Sequence, residues 1–188
     1  MRKPIVHMIT CMSLDGYIAR NGEAPNQEKY GGWTSAEDKQ QFWEEVHKAD
    51  FIMAGRNTLN EMPRLNKPII LLTRQINVKL TSRAVEDVGW ELNPYVSTVR
   101  SYLDRLDGKK ILLCGGATTF DFMLRWNLVD ILTLVIEPIL LKSGIRMTNS
   151  PLFNGGQEEN KFVLLSSRVL NPRGTIRMDL RRVMQWTQ

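Results

Sequence analysis

The sequence lacks any long hydrophobic run and has few residues that could bind a metal. Its 188 residues include two cysteines and two histidines, and no apolar run approaches the roughly 18 residues of a membrane helix. Cys11 and Cys114, with only His7 and His47 to join them, give no metal-ligand spacing. Residues 1–4 lead directly into a strand-like segment without a signal-peptide pattern. We therefore expect a cytoplasmic protein with no metal site and no membrane partner, in which both cysteines are reduced core residues.

Long basic runs are also missing, although the chain carries a net charge of +5. Its basic pairs at Arg2-Lys3, Lys109-Lys110 and Arg181-Arg182 stand apart and are not interleaved with aromatic residues, as they would be on a nucleic-acid surface. The charge also suits a pocket for an anionic cofactor or substrate, so we expect a small-molecule ligand, and nucleic acid is the weaker alternative. The 43% hydrophobic and 24% charged content is typical of a single globular domain, here residues 1–188.

Apolar runs and amphipathic segments alternate along most of the chain. The pattern predicts strands at 5–13, 51–54, 68–73, 111–114 and 130–141, a weak strand at 84–88, and helices at 35–48 and 96–106 and after the turns at 55 and 116. Pro138 should end or kink the strand at 130–141. Two alternating segments, 162–170 and 175–183, flank a turn at 171–174 and predict a hairpin. This order indicates a three-layer α/β/α domain, whose mostly parallel mixed sheet ends in a C-terminal antiparallel hairpin.

The segment 109–126 has the pattern of a buried strand, a glycine turn and a helix. Gly115-Gly116 leaves no side chain in the way of a ligand. The helix that opens with Ala117, Thr118 and Thr119 presents amide N–H groups at the positive end of its dipole. Such a turn is suited to binding phosphate. The alternative is a tight strand–helix connection without a ligand, because only two glycines of the dinucleotide fingerprint are present.

One acid lies in line with the expected buried face of a helix. Phe42, Val46 and Ala49 form the apolar face of the helix at 35–48, and Asp38 lies four residues before Phe42. Burial raises the pKa of a carboxyl group, which is typical of a residue that supplies a proton or hydrogen-bonds a substrate at neutral pH. Asp38 is therefore the candidate catalytic residue. The alternative is that Asp38 only caps the helix, because Ser35 is followed three residues later by this acid.

Two strand ends each carry a hydroxyl group and an arginine. Gly55-Arg56-Asn57-Thr58 follows the strand at 51–54, and Thr73-Arg74 ends the strand at 68–73. In a dinucleotide site, an acid at such a position favours a ribose hydroxyl, whereas arginine favours a 2′-phosphate. The pattern therefore indicates NADP rather than NAD, the alternative being two ordinary surface arginines.

Taken together, these motifs resemble the dihydrofolate reductase-like superfamily. They are most similar to the reductase (C-terminal) domain of bifunctional riboflavin-biosynthesis deaminase-reductases. The resemblance covers nearly the whole chain, and its segments occur in the family's order: Ser13–Ala19, Trp33–Ser35, Gly55–Thr58, Leu72–Arg74, Gly115–Ala117, Leu128–Asp130 and Glu137-Pro138. The motifs of the deaminase domain, His-x-Glu and Pro-Cys-x-x-Cys, do not occur.

The resemblance implies the dihydrofolate reductase-like fold and an NADPH-dependent oxidoreductase. It places the cofactor across the carboxyl ends of the strands. The implied cofactor-binding residues are Gly115, Gly116, Ala117, Thr118 and Thr119 at the pyrophosphate, Gly55, Arg56, Asn57, Thr58, Thr73 and Arg74 at the 2′-phosphate and its ribose, and Thr10, Cys11, Leu14, Asp15 and Gly16 beside the nicotinamide.

The resemblance also implies a substrate class, a pyrimidine or pterin-like heterocycle, and most closely 5-amino-6-(5-phosphoribosylamino)uracil of riboflavin biosynthesis. Asp38 falls where dihydrofolate reductases carry their pterin-binding acid. The implied substrate-binding residues are Trp33, Phe42, Glu61, Arg64 and Glu137. Residues 61–65, Glu-Met-Pro-Arg-Leu, depart from the family's Asp-Asn-Pro-x-Leu, which leaves the substrate open. Dihydrofolate reductase activity and a non-catalytic nucleotide-binding module on the same fold are the alternatives. A homodimer is also implied.

Overall fold

The structure is a computed structural model, which describes residues 2–21, 32–63, 65–74, 82–85, 89–92, 96–148 and 160–183. Arg64 lies outside the described residues. The strands are β1 (Ile5–Ser13), β2 (Tyr17–Ala19), β3 (Phe51–Gly55), β4 (Ile69–Leu72), β5 (Ser82–Val85), β6 (Gly89–Leu92), β7 (Lys110–Leu113), β8 (Ile131–Glu137), β9 (Ile145–Arg146), β10 (Phe162–Val169) and β11 (Ile176–Arg182). The helices are α1 (Ala36–Lys48), α2 (Arg56–Glu61), α3 (Val96–Leu103) and α4 (Ala117–Arg125). None of these helices is long and apolar enough to cross a membrane.

Nine strands form one mixed sheet, in the order β10-β11-β8-β1-β7-β3-β4-β6-β5. The neighbours from β8 to β6 run parallel. The pairs β10–β11, β11–β8 and β5–β6 are antiparallel. The predicted mostly parallel sheet with a C-terminal antiparallel hairpin is therefore confirmed. In addition, β2 and β9 form a separate two-stranded ladder beside the main sheet.

Alternating side chains of β1 divide the core between the two faces of the sheet. Val6 and Met8 belong to the apolar cluster that contains residues of α3 and α4. Ile9 belongs to the second cluster, together with Val46 of α1 and, at its margin, Leu59 of α2. Side chains of a strand point alternately to opposite faces, so both faces of this central strand are covered by helices. The helices therefore form layers on both faces, as the three-layer prediction requires.

The sequence prediction differs from the structure where elements are short. The weak strand expected at 84–88 agrees with the structure at Ala84 and Val85, which end β5, while residues 86–88 lie outside the described residues. The second strand, β6, was not expected, and it pairs antiparallel with β5. Segments of this length give too few repeats for periodicity to separate them. The helix expected at 96–106 ends at Leu103. The strand expected at 130–141 ends at Glu137, because Pro138 has no backbone N–H to continue a ladder.

A polar network lies between α1 and the strands β1, β8 and β11. The Nε2 atom of His7 lies 2.7 Å from the Thr133 hydroxyl, which donates to Asp179 over 2.7 Å. Thr133 must therefore accept from His7, so the imidazole carries its proton on Nε2. The Nδ1 atom of His7 faces the Glu45 carboxylate at 3.6 Å, and Arg177 pairs with both Glu45 and Asp179. The contact between α1 and these strands at Glu45 is therefore made by polar and charged side chains.

This network predicts a pH dependence of stability. Burial, followed by the nearby Lys110 charge, lowers the pKa of His7 from 6.5 to about 4. The unfolded chain therefore binds a proton that the folded chain does not, and stability falls as the pH drops from 6.5 toward 4. His7→Gln should reduce the loss of unfolding free energy between about pH 7 and about pH 4.5 by about 2 kcal/mol.

Urea unfolding at the two pH values measures this effect. The matched control is His47→Gln, because His47 lies exposed near the end of α1, outside this network. An equal pH dependence in His7→Gln and in the unsubstituted protein would contradict the role given to His7.

Candidate active site

The predicted site residues follow neighbouring strands at one edge of the sheet. Glu137 ends β8 directly opposite Ser13, which ends β1. Gly115 follows β7, Gly55 ends β3 and Thr73 follows β4. Because these strands are parallel neighbours, their carboxyl ends meet at the same edge, where α/β sheets commonly bind ligands. The structure therefore brings together residues that lie far apart in the sequence.

The two glycine segments contact each other at this edge. The amide of Gly55 donates to the carbonyl of Gly115 over 2.7 Å, and the peptide between Gly115 and Gly116 is cis. A Cβ atom added to Gly116 would lie 3.3 Å from Thr58 Oγ1, and one added to Gly55 would lie 2.8 Å from Thr119 Oγ1. Side chains at these glycines would therefore crowd the place where α2 and α4 begin. Glycine is therefore required at both positions by the close packing at these helix starts, where phosphate binding is predicted.

The site predicted for the 2′-phosphate, where β3 and β4 end, contains an acid that sequence reasoning missed. Arg56 Nη2 lies 3.0 Å from Glu91 Oε1, and only 4% of the Glu91 side chain is exposed. Thr73 is buried, and its amide donates to Leu92 at the end of β6, while Arg74 is exposed. The structure therefore places the hydroxyl and arginine segments side by side, with Glu91 behind Arg56. An acid within the apolar pattern of β6 was the available signal, but it is visible only once that strand is recognised.

Asp38 is buried at the start of α1 and does not serve as a side-chain cap. Ser35 is the N-cap, and its hydroxyl accepts from the Asp38 amide over 3.2 Å, as the sequence predicts. The Ser35 amide donates to Glu137 Oε1 over 2.6 Å, so Glu137 takes the position that Asp38 would fill in a capping box. The Cys11 thiol lies beside the Asp38 carboxyl group. Burial, and then the charge of Glu137, raise the pKa of Asp38 to about 6.

A second acid, Glu137, connects α1 to the turn between β10 and β11. Glu137 is buried, and its Oε2 accepts from the Thr175 hydroxyl over 2.7 Å, while Oε1 accepts from Ser35. Asn171 donates to Thr175 over 2.9 Å and to Glu37 over 3.1 Å. Sequence reasoning missed the roles of Asn171 and Thr175, because no local pattern links this turn to α1. Direct substrate binding by Glu137 stays a prediction, since both of its oxygens already hold α1 and the turn.

The loop after β1 is held by one carboxylate. Asp15 accepts from the Ser13 hydroxyl over 2.5 Å and from the amides of Leu141 and Lys142 over 3.1 and 2.7 Å. The Ser13 hydrogen bond, together with those amides, lowers the pKa of Asp15. Gly16 has a φ of +83°, a conformation that favours glycine. This loop therefore has a defined shape next to the end of β1, where Thr10 and Cys11 lie and from which Leu14 projects into solvent.

The predicted substrate residues lie around Asp38 and α2. The Nε1 atom of Trp33 is buried and has no hydrogen-bond partner among the residues that the structure describes. An indole N–H can only donate, so this atom suits an acceptor on a ligand. Phe42 packs edge-to-face on Trp43, with ring centroids 5.3 Å apart, and contributes to the core cluster under α1. Glu61 ends α2, and burial raises its pKa.

Comparison by sequence finds no matching family model and no matching curated protein. The structure, in contrast, is similar to solved proteins. A Shewanella sp. PV-4 protein named for riboflavin biosynthesis matches with a TM-score of 0.73 at 19% identity, over 95% of this chain and 99% of that protein. A diaminohydroxyphosphoribosylaminopyrimidine deaminase/5-amino-6-(5-phosphoribosylamino)uracil reductase from Thermotoga maritima matches with a TM-score of 0.69 at 17% identity, over 96% of this chain and 57% of that protein.

A dihydrofolate reductase from Enterococcus faecalis, solved with NADP(H), matches with a TM-score of 0.64 at 15% identity, over 95% of this chain and 96% of that protein. Nearly the whole chain takes part in each of these superpositions. The chain therefore has the fold shared by dihydrofolate reductase and by the reductases of riboflavin biosynthesis.

Proposed function

We propose that this protein is an NADPH-dependent reductase that transfers hydride to a pyrimidine or pterin-like heterocycle. The single observation that carries the proposal is the buried Asp38 carboxyl, whose pKa of about 6 lies near neutral pH. A carboxyl group in this state can hold or donate a proton beside a bound substrate. Asp38 lies near Cys11 of β1 and Glu137 at the end of β8, and the turn at Gly115-Gly116 follows β7, which neighbours β1. This supports one site that combines an acid with a turn suited to phosphate.

The residues present fit a nicotinamide dinucleotide. Gly115 and Gly116 carry no side chains directly before α4, so this turn suits the close approach of a pyrophosphate. Arg56, Arg74 and Thr73 would hold the 2′-phosphate and its ribose. When bound, the reduced nicotinamide supplies the hydride, and the protein orients it and manages the proton.

Cys11 fits a role in orienting Asp38. Its thiol lies beside the Asp38 carboxyl group, and burial, together with the charge of Asp38, raises the pKa of the thiol well above its ordinary range. The thiol therefore stays protonated and is a poor nucleophile. We assign to Asp38 the proton that the reduced substrate requires, and to Cys11 the orientation of its carboxylate.

The proposed substrate is close to 5-amino-6-(5-phosphoribosylamino)uracil. The support is the likeness to proteins named for riboflavin biosynthesis and for that reductase activity. The buried Asp38 carboxyl group suits an N–H group of such a ring. Dihydrofolate is the second candidate, favoured by the likeness to a dihydrofolate reductase over nearly the whole chain.

The test combines a fluorescence titration with NADPH and a turnover assay that follows the loss of NADPH absorbance. We expect NADPH to bind and to be oxidised with the ribosylaminouracil phosphate. Oxidation with dihydrofolate instead would assign the second candidate. Binding without oxidation by either substrate would indicate a non-catalytic nucleotide-binding module, and no binding of NADPH would reject the proposal.

We also propose that the protein forms a homodimer through β10. This edge strand exposes Leu164, Leu165 and Val169 by 56%, 51% and 65% of their surface. Exposed apolar edge strands pair with other chains unless they are covered. Light scattering should give twice the chain mass for the unsubstituted protein and the chain mass for Leu164→Lys with Val169→Lys. The matched control is Leu140→Lys, an exposed leucine outside this strand. A monomeric unsubstituted protein would reject the proposal.

A further inference from the structure

The turn between β10 and β11 is joined to α1 by one buried asparagine. Asn171 Oδ1 accepts from the amides of Arg173 and Thr175 over 3.1 and 3.3 Å. Because a backbone amide can only donate, these two bonds settle which side-chain atom of Asn171 is the oxygen. Its Nδ2 atom therefore donates, to Glu37 of α1 over 3.1 Å and to the Thr175 hydroxyl over 2.9 Å. The turn is thus held against the first turn of α1.

The Thr175 hydroxyl connects this turn to Glu137 at the end of β8. Thr175 is fully buried, and its hydroxyl, which accepts from Asn171, donates its single hydrogen to Glu137 Oε2 over 2.7 Å. The Ser35 amide donates to the other oxygen, Oε1, over 2.6 Å. The position of this carboxylate is therefore set from two sides, by residues 102 and 38 positions away in the sequence.

The Glu137 carboxylate acts on Asp38. After burial, its charge is the next largest cause that raises the pKa of Asp38, while the Cys11 thiol of β1 and the charge of Lys39 on α1 act in the opposite direction. Glu137 is buried, so solvent screens its charge poorly. Any change in the charge or the position of this carboxylate therefore changes the ionisation of Asp38.

We infer that Thr175 is a positioning residue of the proposed active site, which acts through Glu137 on Asp38 and does not touch the substrate. The inference rests on the role proposed for Asp38. Loss of the Thr175 hydroxyl removes a hydrogen bond that favours the ionised form of Glu137. The repulsion of Asp38 then weakens, so Asp38 ionises at a lower pH. If Thr175 only packed the turn against α1, its loss would leave the ionisation of Asp38 unchanged.

The experiment follows the Asp38 carboxyl carbon by NMR across a pH series, in the full chain with isotope-labelled aspartate. Asp38→Asn assigns the signal. In Thr175→Val, which keeps the shape of the side chain without the hydroxyl, we expect the midpoint to fall by about half a pH unit or more. Above the midpoint, kcat/KM with NADPH and the ribosylaminouracil phosphate should then fall about threefold, with the protonated fraction of Asp38. Thr175→Ser keeps the hydroxyl and should retain both values.

The matched control is Thr133→Val. Thr133 is also fully buried, and its hydroxyl donates over 2.7 Å to a carboxylate, that of Asp179. It lies on β8, as Glu137 does, but in the polar network around His7. This variant should lower the free energy of unfolding without moving the Asp38 midpoint. A midpoint in Thr175→Val that stays constant, rises, or falls no more than in Thr133→Val overturns the inference.

The inference and the proposed function fail in different ways. The NMR midpoint needs no cofactor, so a protein that does not oxidise NADPH refutes the proposed function while the midpoint still tests the action of Thr175 on Asp38. If NADPH is oxidised and the midpoint does not respond, only the inference fails. Should Thr175→Val not fold, as judged by circular dichroism, the Thr175 amide signal of the unsubstituted protein decides. A step at the Asp38 midpoint that Asp38→Asn abolishes supports the inference, and the lack of such a step overturns it.

Discussion

Asp38→Asn should lower turnover by about 10²-fold or more while leaving NADPH binding nearly unchanged. The amide keeps the shape of the side chain but cannot supply a proton. Steady-state kinetics and a nucleotide titration measure the two effects separately. Turnover equal to that of the unsubstituted protein would contradict the proposed role of Asp38.

The same substitution should stabilise the folded chain at neutral pH. Burial, and then Glu137, raise the pKa of Asp38 from 3.8 to about 6. Below its unfolded pKa of 3.8, Asp38 is protonated in both the folded and the unfolded chain, so its burial carries no charge penalty. As the pH rises through about 6, the folded chain must hold the buried ionised form, and the free energy of unfolding falls. At neutral pH the ionised Asp38 therefore costs about 3 kcal/mol of unfolding free energy, and Asn removes most of this cost. The expected rise in Tm is about 5 to 10 °C.

The pH profile gives a third observation on Asp38. If its protonated form donates the proton, kcat/KM should fall as the pH rises above about 6, and Asp38→Asn should abolish this limb of the profile. The matched control is Asp50→Asn, since Asp50 lies at the opposite edge of the sheet. An unchanged profile in Asp38→Asn would assign the titration to another group.

The predictions for Asp38→Asn combine lower turnover with a higher free energy of unfolding. This combination is typical of a functional residue and not of a structural one.

Arg56→Ala combined with Arg74→Ala should weaken NADPH binding about 10²-fold and NADH binding by less than about threefold. The reason is that only NADPH carries the extra phosphate. Removal of Arg56 also breaks its ion pair with the buried Glu91. Parallel titrations with the two nucleotides measure the difference.

A control arginine separates this effect from a general loss of positive charge. Arg105 lies exposed just after α3, and Arg105→Ala should leave both affinities unchanged. Adding Glu91→Gln to the double variant removes the buried acid that faces Arg56, and it should not restore the preference for NADPH. An equal loss of NADH and NADPH binding in the double variant would refute a 2′-phosphate role for Arg56 and Arg74.

Local sequence determined the elements that carry the site. The bounds of β1 are those expected, α1 begins after the expected N-cap Ser35, and the turn at Gly115-Gly116 follows a strand and precedes a helix. The helical period alone placed Asp38 on the buried face of α1. Each of these features depends on residues within a few positions of one another, where periodicity, capping and glycine chemistry act directly.

Only the tertiary structure decided how the charged groups are paired. Glu137 accepts a hydrogen bond from the Ser35 amide, 102 positions away in the sequence, and Glu91 pairs with Arg56, 35 positions away. No local pattern encodes such pairs, since they depend on which strands become neighbours and on the register between them. The sequence by itself therefore established the helices and strands, the glycine turn and the acid on α1. The partners that raise the pKa of Asp38 and hold Arg56 follow from the packing of segments that are distant in the chain.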